Sequence, residues 1–339
     1  MGGTGPVILA ADGGATASRA LVAALDGTVL WEGRGRAASA TRGGPEGAGQ
    51  VLAEHWIEGL RSLGTDASRV RGAACGLAGA RSTEVQEKVG EAMTGALDRS
   101  GVRLEVPLQV THDAAIALEG AFPGEGGCVV ISGTGSVAAA RRPGAAAAMA
   151  GGWGWPLGDE GSGTWLGWRA AQEAAGEMEE GAGGVYAGIL QEGWGMDLEG
   201  REALPVLLRS ASAASAAPSR WSGLAPLVIR AMRTWPEETR ALREELGIRL
   251  GLLAAQAMER AGWREGQEVP VALTGGVGSR FRDLLEAPFR GGAGGYGEVL
   301  RWRTERLSHL GGAAVLALGG AGRPPGEGLL DRLGRGLSG

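Results

Sequence analysis

The sequence predicts an α/β protein built from two halves that repeat one order of elements. Each half opens with a buried strand, a turn of glycine with threonine or serine, and a returning strand, around DGGATAS at 12–18 and SGTGS at 132–136. A third strand, a helix, a strand, a helix, a strand and a helix follow in both halves. Repetition of a whole element order indicates structural duplication even without residue identity. Two similar α/β domains that face each other form a cleft, and such clefts are common ligand sites.

The two halves set the expected domain boundaries. Residues 1–112 are expected to form the N-terminal domain, with the helix at 308–319 as a candidate to complete it. Residues 113–307 are expected to form the C-terminal domain, which carries a helical insertion at about 176–236. The Gly/Pro/Arg-rich residues 320–339 are expected to be a flexible tail.

Hydrophobic periodicity and turn residues predict the elements of the first half. VILAA at 7–11 is a buried strand, and Asp26-Gly27 is a hairpin signal between two further strands. Residues 35–49 are rich in Gly, Ala and Ser and predict a loop, with a helical period that starts at Glu46. The expected elements are strands at 7–11, 19–25 and 28–32, a helix from 46, a strand at 70–77, a helix at 83–99, a strand at 104–110 and a helix at 114–121.

The second half shows the same signals in the same order. CVVISG at 128–133 is an apolar run that a glycine turn ends, and EVPVALTGG at 268–276 is another. The expected elements are strands at 128–133, 136–141 and 146–150, helices at 162–178 and 237–261, a strand at 268–276, a helix at 279–287, a strand at 298–302 and a helix at 308–318.

Composition and charge exclude several classes of protein. The net charge is −5, so there is no basic field for nucleic acid or an anionic membrane. No signal peptide and no apolar run that could span a bilayer is recognised, and a cytoplasmic location is expected. Two cysteines, both in strand-like runs, exclude a disulfide scaffold and argue against cysteine-bound zinc. Lys88 is the one lysine, so no Walker-type phosphate loop exists.

The stretch GGWGWPLGDEGSG at 151–163 is the most informative part of the chain. It contains six glycines, two tryptophans and the acidic pair Asp159-Glu160. Glycines at this density allow close approach of a ligand, and the indoles are expected to wall a cavity or pack beneath one. Carboxylates just before the helix near Thr164 also suit a helix N-terminus. Capping explains one acid but not the neighbouring glycines and indoles, so a ligand-facing loop is favoured.

Two glycine hairpins and two strand-end aspartates are candidates for phosphate and metal chemistry. Facing hairpins offer backbone N–H groups and hydroxyls without Cβ bulk, which suits a polyphosphate. Each hairpin alone could be a plain tight turn. Asp12 could hold Mg²⁺ through water, or it could simply form the turn. Asp113 could be a helix N-cap, a catalytic base or both, because strand ends in α/β folds face the crevice.

These segments resemble the motifs of a known family. DGGATAS at 12–18, THDA at 111–114, ISGTGS at 131–136, GGWGWPLGDEGSG at 151–163 and LTGGVGS at 273–279 are similar, in order and roughly in spacing, to those of the N-acetylglucosamine kinase and BadF/BadG/BcrA/BcrD ATPase group. That group belongs to the actin, sugar kinase and Hsp70 ATPase superfamily. The resemblance extends from residue 7 to about 319.

The resemblance implies two RNase H-like domains that close on ATP, Mg²⁺ and a sugar. It makes Asp113 the catalytic base and places Asp12 near the metal. It implies that the remaining residues bind cofactor or sugar as follows: Gly13, Gly14, Thr16, Gly133, Thr134, Gly135 and Ser136 at the phosphates; Gly275 and Gly276 at the adenosine; Asp159, Gly154 and Glu160 at the sugar hydroxyls.

The sequence departs from the family pattern at two positions. Lys or Arg usually follows the Thr of the first phosphate motif, whereas Ala17 follows Thr16. An Asn that binds a sugar hydroxyl is expected after the third strand, and GRAASAT at 35–41 offers Ser39 or Thr41 instead. Either change could alter the sugar preference or weaken phosphoryl transfer.

Three functions remain open from the sequence. The first is a hexosamine kinase of the N-acetylglucosamine or glucosamine type that transfers the ATP γ-phosphoryl group, most readily to position 6. The second is an ATPase activator of a dehydratase or reductase, which would hold an iron–sulfur cluster between subunits through cysteines. The third is a non-catalytic sugar sensor. The expected partner is a small-molecule sugar, and a homodimer is left open.

Overall fold

The computed structural model describes residues 5–181, 183–195, 197, 200–215 and 218–337. Its strands are β1 (Val7–Gly13), β2 (Ala17–Ala24), β3 (Val29–Arg36), β4 (Val70–Leu77), β5 (Leu108–His112), β6 (Gly127–Ser132), β7 (Ser136–Arg141), β8 (Ala148–Gly151), β9 (Val269–Thr274) and β10 (Leu300–Trp302). Its α-helices are α1 (Ala40–Leu63), α2 (Thr83–Arg99), α3 (Asp113–Ala121), α4 (Gly163–Glu179), α5 (Val185–Trp194), α6 (Leu204–Ser215), α7 (Pro218–Ser222), α8 (Ala225–Thr234), α9 (Arg240–Arg260), α10 (Gly275–Gly292), α11 (His309–Gly320) and α12 (Glu327–Gly336). Within the described ranges, no helix is both long and apolar enough to cross a membrane.

The chain divides into two compact units. The first comprises Met1–Gly127, Arg142–Ala145 and Arg303–Gly339, and the second comprises Cys128–Arg141 and Ala146–Trp302. Helix α3 therefore belongs to the first unit, whereas the expected boundary after residue 112 assigned it to the second.

The two units contain sheets of the same strand order. The first sheet runs β3-β2-β1-β4-β5, with β1 antiparallel to β2 and parallel to β4. The second runs β8-β7-β6-β9-β10, with β7 antiparallel to β8 and β6 parallel to β9. In each sheet the first strand of the unit lies at the centre, beside its hairpin partner on one side and a parallel strand on the other. The duplication predicted from the sequence is therefore present.

The central strand β1 shows how the first sheet is held between helices. Val7, Leu9 and Ala11 belong to one buried cluster that includes side chains of α1 and α2. Ile8 and Ala10 point to the opposite face, into a second cluster that includes side chains of α3 and α11. Both faces of the strand are thus apolar, as expected of a sheet covered by helices on both sides.

Two sequence expectations about elements are wrong. The predicted loop at 35–49 is helical from Ala40, because α1 continues across an interruption at Gly44, whose φ is +72°. The residues expected to form a flexible tail contain α12, whose Leu330 and Leu333 are buried against the first unit's core. Glycine-rich composition concealed the apolar period of both helices.

Close packing of α11 on α3 gives a first prediction. A Cβ on Gly312 would overlap the carbonyl oxygen of Ile116, which is backbone and cannot rotate away. Gly312→Ala is therefore expected to lower the free energy of unfolding by about 1–3 kcal/mol. Gly319→Ala is the matched control on the same helix, because its Cβ would meet nothing within 4 Å. The control is expected to be neutral or to stabilise by up to ~1 kcal/mol. Chemical denaturation measures both, and equal losses would contradict the packing argument.

Candidate active site

The first glycine hairpin joins β1 to β2 in the first unit. The Gly14 N–H donates to the Ala17 carbonyl over 3.0 Å, which closes the turn. A Cβ on Gly13 would lie 2.7 Å from the Ala38 carbonyl oxygen, so no larger residue fits there. Arg42 of α1 donates from Nη1 to the carbonyl of Ala15 over 3.1 Å. A guanidinium therefore lies beside this hairpin although no basic residue follows Thr16 within it.

Asp113 begins α3 directly after β5, with one carboxylate oxygen held in place. The His112 Nδ1 atom lies 2.6 Å from Asp113 Oδ1, and the Ala114 N–H lies 2.8 Å from the same oxygen and 3.0 Å from Nδ1. So short an N···O distance requires a proton between the two atoms, so we assign the proton to Nδ1 and the Ala114 donor to the carboxylate. Oδ1 then accepts two hydrogen bonds, and Oδ2 accepts none from the part of the chain that the structure describes.

Electrostatics favour the ionised form of Asp113. Burial acts to raise the pKa of this carboxyl, but the hydrogen bond from His112, the electrostatic effects of His112 and His309, and the Ala114 N–H together hold it below its ordinary value. Asp12 differs, since burial and the charge of Asp113 raise the pKa of its carboxyl, against opposing effects of His309 and Arg19. The first unit thus brings two electrostatically coupled carboxyl groups, Asp12 and Asp113, to the ends of neighbouring elements.

The second glycine hairpin, between β6 and β7, is held rigidly by the start of α4. The Gly163 N–H donates to the Gly133 carbonyl over 2.7 Å, and Thr164 Oγ1 donates to the Thr134 carbonyl over the same distance. Ser132 Oγ donates to the Gly161 carbonyl over 2.6 Å. These bonds occupy carbonyl oxygens of the hairpin and of the loop before α4. The hairpin's shape is therefore set by the signature segment 151–163.

Asp159 lies in this segment with an unusual backbone conformation. Its φ is +68°, a left-handed value that is uncommon for a residue other than glycine, and its Oδ1 accepts the Ser136 N–H over 3.1 Å. A Cβ on Gly135 would lie 2.9 Å from the Asp159 carboxylate, so a larger residue there would displace the carboxylate from its bond to Ser136. The cap of α4 is Ser162, whose hydroxyl accepts the Trp165 N–H. Asp159 therefore bonds to the hairpin, and the capping alternative is wrong for it.

The two indoles of the signature segment have different environments. Trp155 packs against Trp168 of α4, with ring centroids 5.4 Å apart. Trp153 is 66% exposed, so it does not pack beneath a cavity, and its expected place in a cavity wall stays a prediction. Gly154 has a φ of +81°, and the carbonyl of Glu160 accepts the Ser136 hydroxyl over 2.7 Å. Glu160 itself is exposed.

The glycine pair after β9 forms the first turn of α10. Gly275 has a φ of +87°, and its Cβ would lie 2.5 Å from the Ser132 carbonyl oxygen. The Thr274 side chain caps the helix by accepting the Gly275 N–H. A Cβ on Gly276 would meet nothing within 4 Å. The second unit thus brings together Gly275 and the hairpin that follows Ser132.

Ser39 and Thr41, which the sequence offers in place of the expected Asn, are hydrogen-bonded to each other. Ser39 is buried, and its Oγ lies 2.8 Å from Thr41 Oγ1 and donates to the Ala78 carbonyl over 3.4 Å. With its proton donated to Ala78 and one lone pair facing Thr41, Ser39 Oγ keeps one lone pair for a sugar hydroxyl, but burial of the side chain limits access to it. The geometry therefore gives little support to a sugar contact at Ser39.

The residues present fit a nucleotide and a cation on structural grounds. A Cβ on Gly133 would meet no atom within 4 Å, so the space beside this turn can accept a ligand. The raised pKa of Asp12 reflects the cost of burying its charge, which a bound cation would offset. No cluster of three or more His, Cys, Asp or Glu is found in the described ranges. A metal at Asp12 would therefore take its other ligands from water and phosphate.

Sequence reasoning missed three features of these groups. The sequence offered a signal for Arg42 beside the first hairpin, because this arginine directly follows GRAASAT, the segment expected to contact the sugar. The donation from His112 to Asp113 depends on a side-chain direction that no periodicity reveals. The bond from Ser136 to Asp159 joins residues 23 positions apart, beyond the reach of local signals.

Comparison with known structures identifies the class of fold. The chain is similar to a Chromobacterium violaceum protein provisionally described as an N-acetylglucosamine kinase, with 27% identity and a TM-score of 0.69 over 93% of this chain and 100% of that one. It has the same fold as a ROK family glucokinase from Streptomyces griseus solved with glucose and AMPPNP, with 17% identity and a TM-score of 0.52 over 93% of this chain and 98% of that one. The two duplicated sheets therefore form the two-domain, RNase H-like fold of actin-like ATPases and sugar kinases, which confirms the predicted fold class.

Sequence comparison identifies the family. The profile of the BadF/BadG/BcrA/BcrD ATPase family matches residues 11–294. The chain belongs to the BadF/BadG/BcrA/BcrD ATPase family, as its motifs predicted. It is 35% identical over 170 residues to an N-acetylmuramic acid/N-acetylglucosamine kinase of Clostridium acetobutylicum. That match spans 49% of this chain and about half, 53%, of the relative.

Proposed function

We propose that the protein is an ATP-dependent hexosamine kinase of the N-acetylglucosamine or glucosamine type, which transfers the γ-phosphoryl group to the 6-hydroxyl. The observation that carries the proposal is Asp113, which begins α3 with Oδ1 held by His112 and with no hydrogen bond to Oδ2 from the described residues. Membership of the family and the activity named for the Clostridium acetobutylicum relative support the proposal of a sugar kinase.

In this proposal Asp113 is the general base. Its lowered pKa keeps the carboxylate ionised at neutral pH, so Oδ2 can accept the proton of the sugar hydroxyl. The hydroxyl oxygen forms a bond to the γ-phosphorus while the bond to the β,γ-bridging oxygen breaks, and ADP leaves. A carboxylate of low pKa is a weak base, so the proton moves late, as the new P–O bond forms. Bound Mg²⁺ would neutralise charge on the phosphates.

The two glycine hairpins are proposed to bind the phosphates through backbone N–H groups. Gly13, Gly14 and Thr16 belong to the first hairpin, beside the Arg42 guanidinium. Gly133, Thr134, Gly135 and Ser136 belong to the second. Asp12 is proposed to hold Mg²⁺ through water, and Gly275 and Gly276 are proposed to contact the adenosine.

A substitution pair in the second hairpin separates phosphate binding from a plain turn. The protein leaves space for a Cβ on Gly133, so Gly133→Ala is expected to melt like the wild type while weakening ATP binding by about tenfold or more. Gly135→Ala instead places a Cβ 2.9 Å from the Asp159 carboxylate and is expected to lower thermal stability. Melting curves and ATP titrations measure both. Normal ATP affinity in a well-folded Gly133→Ala variant would mean that this hairpin binds no phosphate.

Asp159, with Gly154 and Glu160, is proposed to contact the sugar. The Asp159 carboxylate already accepts the Ser136 N–H at Oδ1, and a carboxylate can accept further hydrogen bonds from sugar hydroxyls. Its place against the second hairpin would then connect sugar binding to the phosphate-binding turn.

The activator alternative has little structural support. Such a protein needs cysteine thiolates at an iron–sulfur cluster. Both cysteines of this chain are buried, and burial raises the pKa of each thiol to about 12. Cys75 donates to the sulfur of Met93 within the core, which is typical of an inert structural thiol.

The experiment that tests the proposal is a coupled ADP-release screen with Mg²⁺. The sugars are glucosamine, N-acetylglucosamine, N-acetylmuramic acid, glucose and mannose. We expect sugar-dependent ADP release with an amino sugar and little release without sugar. ADP release that no sugar stimulates would contradict a kinase and favour an ATPase activator, whereas sugar binding without ADP release would favour a sensor.

A further inference from the structure

A pocket with a mixed apolar and charged lining lies beside the signature segment, within the second unit. Its volume is about 510 Å³, which falls in the range of roughly 300–1,000 Å³ that small-molecule sites occupy. The signature segment, α4 and α9 each contribute to its lining. The residues that matter for the argument are Trp155, Glu160, Trp168, Arg169, Glu245 and Arg249.

Aromatic faces form part of the wall. Trp155 and Trp168 both line the pocket, and their rings are tilted by 59° with centroids 5.4 Å apart. Indole faces offer broad apolar contact at a small cost in side-chain entropy. Together they suit a rigid ligand with an apolar face, such as the C–H face of a pyranose ring.

Charged side chains supply both donors and acceptors. Arg169 lies 3.0 Å from Glu245 and 3.0 Å from Glu173, and Arg249 lies 3.4 Å from Glu245. With Glu160 and Glu245 against Arg169 and Arg249, the lining contains two carboxylates and two guanidinium groups. An anionic ligand would therefore meet no net positive charge. A hydroxyl group, which can donate to a carboxylate and accept from a guanidinium, fits this mixture.

One donor of Arg169 has no partner among the residues that the structure describes. The Nε atom is buried beneath the pocket wall and makes no hydrogen bond with them. A ligand oxygen could reach this N–H only if the Arg169 side chain turned away from its two carboxylate partners, Glu173 and Glu245. The case for a ligand therefore depends on the indole faces and on the mixed charges of the lining.

We infer that this pocket is a second binding site, for an uncharged saccharide unit, distinct from the phosphate-binding groups. Its lining shares Glu160 with the sugar site proposed above. Its lining touches the same segment that holds the second hairpin, because the Glu160 carbonyl accepts the Ser136 hydroxyl over 2.7 Å. A saccharide held against Trp155 and Glu160 would therefore stabilise the loop that sets the hairpin's shape.

The test is calorimetric titration of the full-length chain with glucose, N-acetylglucosamine, cellobiose, lactose and lactobionate. Two variants change the pocket. Arg169→Lys keeps the charge but removes the Nε–H, and Arg249→Ala removes a partly exposed side chain whose loss is compatible with folding. Arg240→Ala is the matched control, an exposed arginine on the same helix as Arg249 and outside the pocket.

We expect at least one neutral saccharide to bind the wild type, with affinity reduced about tenfold or more in Arg169→Lys and Arg249→Ala and unchanged in Arg240→Ala. Lactobionate is expected to bind more weakly than lactose. The inference is overturned if no neutral saccharide shows binding that depends on both arginines, or if lactobionate binds at least as tightly as lactose.

Failure of this inference and failure of the proposed kinase activity give different results. Saccharide bound only at the substrate site would bind more weakly in Asp159→Ala and with unchanged affinity in both arginine variants. Arginine-dependent binding in a chain that transfers no phosphoryl group would leave the pocket assignment intact and contradict the kinase.

Discussion

Asp113→Asn is expected to lower the turnover number by about 10²–10⁴-fold, the usual cost of losing a general base. The amide cannot accept the proton of the sugar hydroxyl. Its oxygen can still accept the hydrogen bonds that Oδ1 receives from His112 and Ala114, so the fold and ATP affinity are expected to stay close to those of the wild type. Steady-state kinetics with saturating sugar and an ATP titration measure the two effects.

The control for this substitution is Asp98→Asn, an exposed aspartate on α2. It removes one negative charge from the first unit without touching β5 or α3, and its turnover is expected to match the wild type. Near-normal turnover in Asp113→Asn would mean that the carboxylate only stabilises the start of α3.

Asp159→Ala is expected to weaken sugar binding by about 1.5–3 kcal/mol, the range for hydrogen bonds to charged groups, which is roughly tenfold to a hundredfold. The carboxylate accepts the Ser136 N–H, so its loss also loosens the second hairpin. A smaller loss of ATP affinity is therefore expected as well. Alanine must in addition adopt a φ near +68°, which costs about 1 kcal/mol of stability.

Asp159→Asn separates these contributions. Asparagine tolerates the left-handed conformation, and its amide oxygen can accept the Ser136 N–H, so this variant is expected to melt like the wild type. Its sugar affinity is expected to fall between those of the wild type and Asp159→Ala. Calorimetric titration with sugar measures the affinity, and melting curves measure the stability, so together they separate the two roles of Asp159. If Asp159→Ala melts lower and binds sugar normally, Asp159 serves only to hold the loop.

Sequence patterns predicted the sheets because their signals are local. Continuous apolar runs that end in glycine turns mark β1 and β6, and Asp26-Gly27 marks the hairpin between β2 and β3. The same local reasoning failed where a glycine-rich composition concealed the apolar period of a helix. Helix α1 starts ahead of its predicted position, and α12 replaces a predicted tail because Leu330 and Leu333 find a buried surface that belongs to distant parts of the chain.

Motifs located the candidate groups, but not the bonds among them. Asp113 and the two hairpins lie at the strand ends where their motifs predicted turns. The partner of Asp159, the burial of Ser39 and the exposure of Trp153 depend on tertiary packing that a motif does not encode. The pocket around Arg169 and Arg249 is lined by α4 and α9, which are far apart in the sequence, so no single stretch of sequence predicted it.

The most direct test of the central claim is to follow the phosphoryl group itself. The chain is incubated with ATP, Mg²⁺ and the amino sugar that stimulates most ADP release, and the products are analysed by phosphorus and carbon NMR. The account predicts one sugar phosphate per ADP formed, with the phosphate on O6. ADP and free inorganic phosphate in equal amounts, with the sugar unchanged, would contradict it.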